Sequence, residues 1–216
     1  MVKFEQDGID LEFETSAEVF SPTQIDRGTL AMISQVEMNK EDKLLDLGCG
    51  YGFVGIYASS FIAHYNITMC DISDKAISLS LLNAKHNNVK DLNIIKSDGL
   101  SEVADKDFTL ILSNPPYHVD FSVPKRFIEQ GYIRLVSGGK MYMVTKRKDW
   151  YKNKFISVFG GVKIQEIDGY YVFMAQKLSA LTKKDRQAQK VKSKSGKPQD
   201  RNHLSKKLQR KVSKRN

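Results

Sequence analysis

Cysteine, histidine and long apolar runs are scarce in this sequence of 216 residues. Its two cysteines, Cys49 and Cys70, are too few for a disulfide framework in a chain of this length, and they favour a reducing compartment. The four histidines show no metal-ligand spacing with either cysteine, so we expect no metal site. No apolar run approaches the ~20 residues that cross a bilayer, and the start lacks a signal-peptide pattern. We therefore expect a soluble, cytoplasmic protein.

Acidic residues become rare only near the end of the chain. Residues 183–216 hold 14 Lys or Arg and two Asp, a net charge of +12, whereas residues 1–182 carry −3 of the total of +9. The length and the 41% hydrophobic content allow one sizeable core. We therefore predict a globular domain over 1–182, with 1–19 as a flank, and a basic tail over 183–216.

Strand and helix signals alternate through the predicted domain. A β-hairpin is predicted over residues 2–14, and a helix with Ser21 as its N-cap and Pro22 as its first residue is predicted to run to Met38. Apolar strand candidates follow over residues 43–48, 66–71, 92–98, 108–116 and 138–146, with helices predicted over 52–61, 73–87 and 125–136. A second hairpin is predicted over 162–177. The pattern predicts an α/β fold, with a doubly wound, seven-stranded, mostly parallel sheet and a terminal antiparallel hairpin.

Polar residues follow three of the predicted strands. The glycine-rich run DLGCGYG (46–52) ends the first strand, Asp71 ends the second about 20 residues later, and Ser97-Asp98 ends the third. Because the carboxyl ends of parallel strands meet at one edge, the set predicts a nucleoside site. Residues 50–55 also fit the dinucleotide fingerprint of a nicotinamide-dependent oxidoreductase, but Asp46 would repel a pyrophosphate and could instead hold the ammonium of an amino acid.

The run SNPPYH at residues 113–118 follows the fourth strand candidate. Its prolines, Pro115 and Pro116, cannot donate to a sheet ladder, so they end the strand and leave Asn114 and Tyr117 at the ligand-binding edge. Taken alone, the run is also compatible with a simple strand-ending turn that places Tyr117 in the core.

In this order, DLGCGYG, the acid of CDIS, SDG and SNPPY resemble motifs I to IV of class I S-adenosylmethionine-dependent methyltransferases, over roughly Phe20 to Lys177. The resemblance implies a Rossmann-like fold with S-adenosyl-L-methionine as the cofactor. The implied cofactor-binding residues are Asp46, Gly48, Cys49, Gly50, Tyr51 and Gly52 around the methionine part, Asp71 on the ribose, Ile72 beside the adenine, and Asp98 on the adenine amino group with Ser97 next to it. Asn114 also belongs to the implied cofactor wall.

Within that family, an Asn-Pro-Pro-Tyr tetrad resembles the signature of enzymes that methylate an exocyclic or amide nitrogen. The resemblance implies that the Asn114 side-chain oxygen and the Pro115 carbonyl accept the two N–H bonds of that nitrogen. Tyr117 would stack on the base plane. Both acceptors stabilise the charge that develops on the nitrogen, so no strong general base is required.

The upstream segment EVFSPTQIDRGTL resembles ribosomal RNA small-subunit guanine-N2 methyltransferases of the small methyltransferase domain family. This resemblance implies Phe20 and Thr29 at the mouth of the site, with Thr29 near the methionine carboxylate, and guanine N2 of ribosomal RNA as the target. RNA would be bound by the basic tail, where Leu204, Leu208 and Val212 recur every four residues, either as a helix that orders on RNA or as a disordered tail. The oligomeric state is not predicted.

Three other functions stay open at this point. An adenine-N6 RNA or DNA methyltransferase and a protein-glutamine N5 methyltransferase could both use an Asn-Pro-Pro-Tyr tetrad. The third is a noncatalytic RNA-binding assembly factor that keeps the methyltransferase fold.

Overall fold

The computed structural model describes residues 1–116 and 120–179 of the chain. The strands are β1 (Val2–Gln6), β2 (Ile9–Phe13), β3 (Leu44–Leu47), β4 (Ile67–Asp71), β5 (Asn93–Lys96), β6 (Phe108–Ser113), β7 (Leu135–Thr145), β8 (Lys163–Ile167) and β9 (Tyr170–Gln176), and the helices are α1 (Arg27–Ile33), α2 (Phe53–Ala58), α3 (Asp74–His86), α4 (Ser122–Arg134) and α5 (Lys148–Phe159). The chain forms a compact unit over Met1–Leu178. The tail predicted over 183–216 lies outside the described residues.

The main sheet has seven strands in the order β5-β4-β3-β6-β7-β9-β8. Strands β5, β4, β3, β6 and β7 pair in parallel, and β9 pairs antiparallel with both β7 and β8. The predicted doubly wound sheet and its terminal hairpin are therefore confirmed. The strand order reverses between β3 and β6, and the crevice at such a switch point is where open α/β sheets bind ligands.

Apolar side chains cover both faces of this sheet, which explains why its strands read as nearly continuous Leu, Ile, Val and Met. Along β3, Leu44 packs in the cluster beneath α1, α2 and α3, whereas Leu45 and Leu47 pack in the cluster beneath α4 and α5. At about 25 cal/mol per Å² of buried apolar surface, these two layers provide the main stabilisation of the fold.

The predicted start of the first helix is wrong. Asp26 is the N-cap of α1, and its side chain accepts a hydrogen bond from the Thr29 N–H at 2.9 Å. Ser21 has a left-handed backbone with a φ of 52°, whereas an N-cap is typically extended. The helix also ends at Ile33, with Ser34 as its C-cap, well before Met38.

Two further differences concern helices on the other face. Helix α4 begins at Ser122, three residues before the predicted start, and helix α5 was not predicted. The signal for α5 was present, because Tyr151, Phe155 and Phe159 recur every four residues and are all buried.

Strands β1 and β2 form a separate antiparallel hairpin, as predicted, outside the main sheet. Phe4 and Phe13 pack edge-on against Phe53 of α2, with ring centroids 5.2 and 5.5 Å apart, and Phe4 also contacts Tyr57. Such aromatic contacts hold the hairpin against the helix that follows the glycine-rich loop. None of the described helices is both long enough and apolar enough to span a membrane.

Candidate active site

A cavity of about 350 Å³ lies at the carboxyl edge of the main sheet, beside the β3–β6 switch point. Its volume is in the range of small-ligand sites. The lining includes the following residues predicted from the sequence: Asp46, Gly48, Cys49, Gly50 and Tyr51 at the end of β3, Asp71 and Ile72 at the end of β4, Ser97 and Asp98 after β5, Asn114 after β6, Phe20 before α1, and Thr29 in the first turn of α1. The structure thus brings the four strand ends together in one crevice.

Asp46 is a buried carboxylate at the floor of this cavity. Its Oδ2 accepts a hydrogen bond from the backbone N–H of Gly55, in the first turn of α2, at 3.0 Å. Burial raises the pKa of Asp46 to about 7, against the opposing effect of that hydrogen bond. A cationic ligand next to this carboxylate would therefore stabilise its ionised form.

Asp71 ties the glycine-rich loop to the end of β4. Its Oδ2 accepts from the Gly50 N–H at 3.0 Å and its Oδ1 from the Ser73 N–H at 2.9 Å. Each carboxylate oxygen has a second lone pair, so hydroxyl groups in the cavity can also donate to it. Ile72, the next residue, is 63% exposed at the rim, where a large apolar side chain can cover the face of a ring.

Asp98 is held by Arg126 of α4. Its guanidinium nitrogens Nη1 and Nη2 both donate to the carboxylate, which lowers the pKa of Asp98. Ser97 is buried, and its Oγ accepts from the Glu102 N–H at 3.1 Å. A ligand group that donates to Asp98 would therefore share an acceptor that already has a cationic partner.

Asn114 has a fixed orientation at the end of β6. Its Nδ2 donates to Asp26 Oδ1 and to Thr29 Oγ1, each at 2.8 Å. A reversed amide would place its oxygen against the carboxylate of Asp26, so these two acceptors determine which way the group faces. The remaining atom, Oδ1, is buried and has no hydrogen-bond partner among the described residues.

Two of the predicted site residues lie outside the cavity lining, and a third lies outside the described residues. Gly52 does not line the cavity; with a φ of 96° it serves as the N-cap of α2, and a Cβ would approach Ser80 Oγ to 3.0 Å. Pro115 is buried outside the lining, which includes Pro116 instead. Tyr117 lies outside the described residues, so its predicted stacking stays a prediction.

The two cysteines are free and buried. Burial raises the pKa of Cys70 to about 12 and raises that of Cys49 well above its usual value, so both thiols are neutral. The Sγ atom of Cys49 lies 3.6 Å from Ser80 Oγ, and Ser80 Oγ donates to the Gly50 carbonyl at 3.0 Å. Both cysteines thus occupy buried positions near the ends of β3 and β4.

The sequence did not indicate a role for Asp26 and Arg126, which line the cavity, or for Asn83, which donates to the Tyr51 carbonyl of the glycine-rich loop. Asp26 carries a local signal, since Asp is one of the preferred N-cap residues and the helix begins directly after it. Arg126 and Asn83 carry no such signal, because their partners lie 28 and 69 residues away along the chain.

Asn83 of α3 links the hairpin to the glycine-rich loop. Its fully buried amide donates to the carbonyls of Glu14 and Tyr51 and accepts from the Glu14 N–H. One turn later, Asn87 makes the equivalent pair of bonds with the backbone of Glu12. Asn83 alone of the two therefore contacts the cavity-lining loop.

Replacing Asn83 by alanine is expected to lower the free energy of unfolding by about 2 to 4 kcal/mol, because three buried backbone groups lose their partner. Ligand affinity of the cavity is expected to fall as well, since the Tyr51 carbonyl is released. Asn87→Ala is the matched control, with a comparable loss of stability and unchanged affinity. Denaturant unfolding and ligand titration check both, and an equal effect of the two variants on affinity would contradict the link.

Residues 10–174 match the family model described as the methyltransferase small domain. Protein YbxB of Bacillus subtilis (strain 168) is 31% identical over 175 residues, 78% of this chain and 87% of that protein. Ribosomal RNA small subunit methyltransferase C of Pasteurella multocida (strain Pm70) is 35% identical over 139 residues, 62% of this chain. This match covers only 42% of that relative's length.

A solved structure of similar fold is the T. thermophilus 16S rRNA N2 G1207 methyltransferase (RsmC) in complex with AdoMet and guanosine. Its TM-score is 0.74 at 22% identity, and the similarity covers 81% of this chain and 49% of that one. The family resemblance inferred from DLGCGYG and SNPPY is thereby confirmed, and with it the prediction of a methyltransferase. This chain belongs to the methyltransferase small domain family.

Proposed function

We propose that this protein transfers a methyl group from S-adenosyl-L-methionine to an exocyclic amino group of a nucleobase in RNA, with guanine N2 of ribosomal RNA as the target. The observation that carries the proposal is the buried Oδ1 of Asn114, which has no hydrogen-bond partner in the part of the chain that the structure describes. A buried polar atom without a partner costs free energy, and a ligand N–H would remove that cost. Because the amide is fixed by Asp26 and Thr29, this position accepts a donor and disfavours a ligand atom that only accepts.

The acidic lining of the cavity fits the proposed cofactor. A carboxylate with the strong desolvation of Asp46 would be stabilised by the ammonium of the methionine part, directly or through water. Asp71 would accept the ribose hydroxyls, Ile72 would cover the adenine, and Asp98 would accept from the adenine amino group beside Arg126. Gly48 to Tyr51 would surround the methionine part as the loop after β3.

The chemistry then depends on positioning. Asn114 Oδ1 would accept one N–H of the target amine and the Pro115 carbonyl the other, which turns the nitrogen lone pair toward the methyl group. As the nitrogen–carbon bond forms and the carbon–sulfur bond breaks, positive charge grows on the nitrogen next to these acceptors, and the extra proton leaves to solvent. Alignment of the reacting atoms supplies up to ~7 to 11 kcal/mol in well-oriented systems.

The relatives support an RNA substrate. Several are named as ribosomal RNA methyltransferases, and the solved neighbour contains AdoMet and guanosine. The chain spans less than half of the length of the ribosomal RNA methyltransferases it matches, so their full activities are proposals here. We also propose that residues 183–216, with a net charge of +12, bind RNA as a basic tail.

The test is methyl transfer from labelled S-adenosyl-L-methionine to total RNA and to isolated small ribosomal subunits from a strain lacking this gene. Label recovered as N2-methylguanosine is the expected result. Label in N6-methyladenosine would redirect the proposal to adenine, and label in protein would redirect it to glutamine. Cofactor binding with no label in either RNA or protein would contradict a catalytic role.

A further inference from the structure

Three consecutive cations, Lys146, Arg147 and Lys148, follow strand β7 at the carboxyl edge of the sheet. All three are exposed, and among the described residues none of them forms an ion pair with a carboxylate. With Asp149, which lies in the first turn of α5, the run carries a net charge of +2. The other residues of 1–182 carry a net negative charge, opposite in sign to this cationic strip (residues 146–148).

Each cation of the strip lies over an aromatic ring. The distance to the ring centroid is 4.8 Å from Lys146 Nζ to Tyr170, 5.1 Å from Arg147 Cζ to Phe121, and 4.9 Å from Lys148 Nζ to Tyr171. A ring attracts a cation through its quadrupole but has no net charge, so the full positive charge stays available to an anion. A side chain held in this way also has less conformational entropy to lose on binding.

The strip is fixed beside the cavity from two directions. The ring of Tyr170 packs so closely on Gly28 that a Cβ there would lie 2.7 Å from it, and Gly28 stands between Asp26 and Thr29, which hold Asn114. On the other side, Phe121 lies two residues before Val123, which lines the cavity. Phe121 also stacks on Trp150, with ring centroids 4.3 Å apart.

The order of the strands determines which groups lie on each side of a target base at Asn114. The residues proposed to hold the cofactor lie at the carboxyl ends of β3, β4 and β5, Asn114 follows β6, and the strip follows β7, the next strand on the far side. A target base at Asn114 therefore has the cofactor half on one side and three cations on the other. Phosphates that flank the base are the anions that would meet those cations.

We infer that the cationic strip, together with the Phe121–Trp150 stack, is the docking surface for the RNA strand that carries the target nucleotide. This inference rests on the proposed function and names the surface that presents its substrate. The strip binds the flanking phosphates, and the Phe121–Trp150 stack holds the ring over which Arg147 lies. Sequence selection is then left to the nucleotide in the cavity.

The test removes the charges in the full chain through the triple variant Lys146→Gln, Arg147→Gln and Lys148→Gln. The matched control is Lys40→Gln, Lys90→Gln and Lys106→Gln, three exposed lysines that precede β3, β5 and β6 at the opposite edge of the sheet. For single-stranded RNA, each lost phosphate contact makes the slope of log affinity against log salt less steep by ~0.7. The slope of the strip variant should therefore be less steep by about 2, and the slope of the control variant should be unchanged. The KM for RNA should rise about tenfold at moderate salt, with the KM for the cofactor unchanged.

A second measurement uses Trp150, the single tryptophan of the chain. Its fluorescence emission is expected to change when RNA saturates the unmodified chain. The change should be smaller in the strip variant. Equal salt slopes for the strip variant and the control, or an unchanged Trp150 emission at saturation, would overturn the inference. The same change with poly-glutamate would assign the strip to acidic polypeptides and also overturn it. RNA binding with these properties but without methylation would defeat only the proposed function.

Discussion

Replacing Asn114 by alanine is expected to lower methyl transfer about 10³-fold while the affinity for S-adenosyl-L-methionine stays within a factor of about two. A group that stabilises developing charge at a reacting atom typically contributes this much to turnover. The cofactor should be held by Asp46 and Asp71, which do not depend on the Asn114 amide. Single-turnover kinetics and cofactor titration measure the two quantities separately.

Thr29→Val provides a graded control for this result. It removes one of the two acceptors of Asn114 Nδ2 and leaves the bond to Asp26 in place. The amide should keep its orientation most of the time, so a loss of about tenfold in turnover is expected. If Asn114→Ala lowered cofactor affinity as much as turnover, Asn114 would be assigned to cofactor binding and not to substrate binding.

Replacing Asp46 by asparagine is expected to stabilise the ligand-free protein at pH 8 and to stabilise it less at pH 5. The folded-state pKa of Asp46 is about 7, above the ordinary value of 3.8, so the folded state binds this proton more tightly than the unfolded state. Stability is then lost as the pH rises from about 4 to about 7. At ~1.4 kcal/mol per pKa unit, the loss has a ceiling of about 4 kcal/mol.

Thermal unfolding of the ligand-free chain between pH 5 and pH 8 checks this expectation. The amide oxygen of the Asp46→Asn variant can still accept the Gly55 N–H, so the loop geometry should survive the change. Glu5→Gln, at an exposed position of β1, is the matched control and should follow the unmodified chain at each pH. Cofactor affinity at pH 8 should fall in Asp46→Asn, because the carboxylate that faces the ammonium is lost. An Asp46→Asn variant that is equally destabilised at both pH values would contradict the raised pKa.

The sequence predicts the features of this site that depend on backbone restrictions near each residue. Glycines at 48, 50 and 52 allow the left-handed turns that the structure shows after β3, and two prolines end β6 next to Asn114. Alternating apolar strands then bring these turns to one edge of the sheet. This is why the sequence alone locates the cavity.

The partners of those residues could not be predicted, because a hydrogen-bond partner is chosen by tertiary packing. Asp26 and Asn114 are 88 residues apart in the sequence, and their contact determines which atom of the amide faces the cavity. The same reason applies to the start of α1. Ser21-Pro22 is a sound local start signal, but the carboxylate of Asp26 can cap the helix and hold Asn114 at once.

The bonds from Asn83 and Asn87 to the hairpin also have a consequence for the order in which the protein matures during translation. Glu12 and Glu14 are synthesised about 70 residues before the side chains that anchor them. An isolated two-stranded hairpin is at best marginally stable in water, so it becomes secure only when α3 emerges. Because Asn83 also bonds the Tyr51 carbonyl, the nascent chain anchors its first two strands and its glycine-rich loop in the same step.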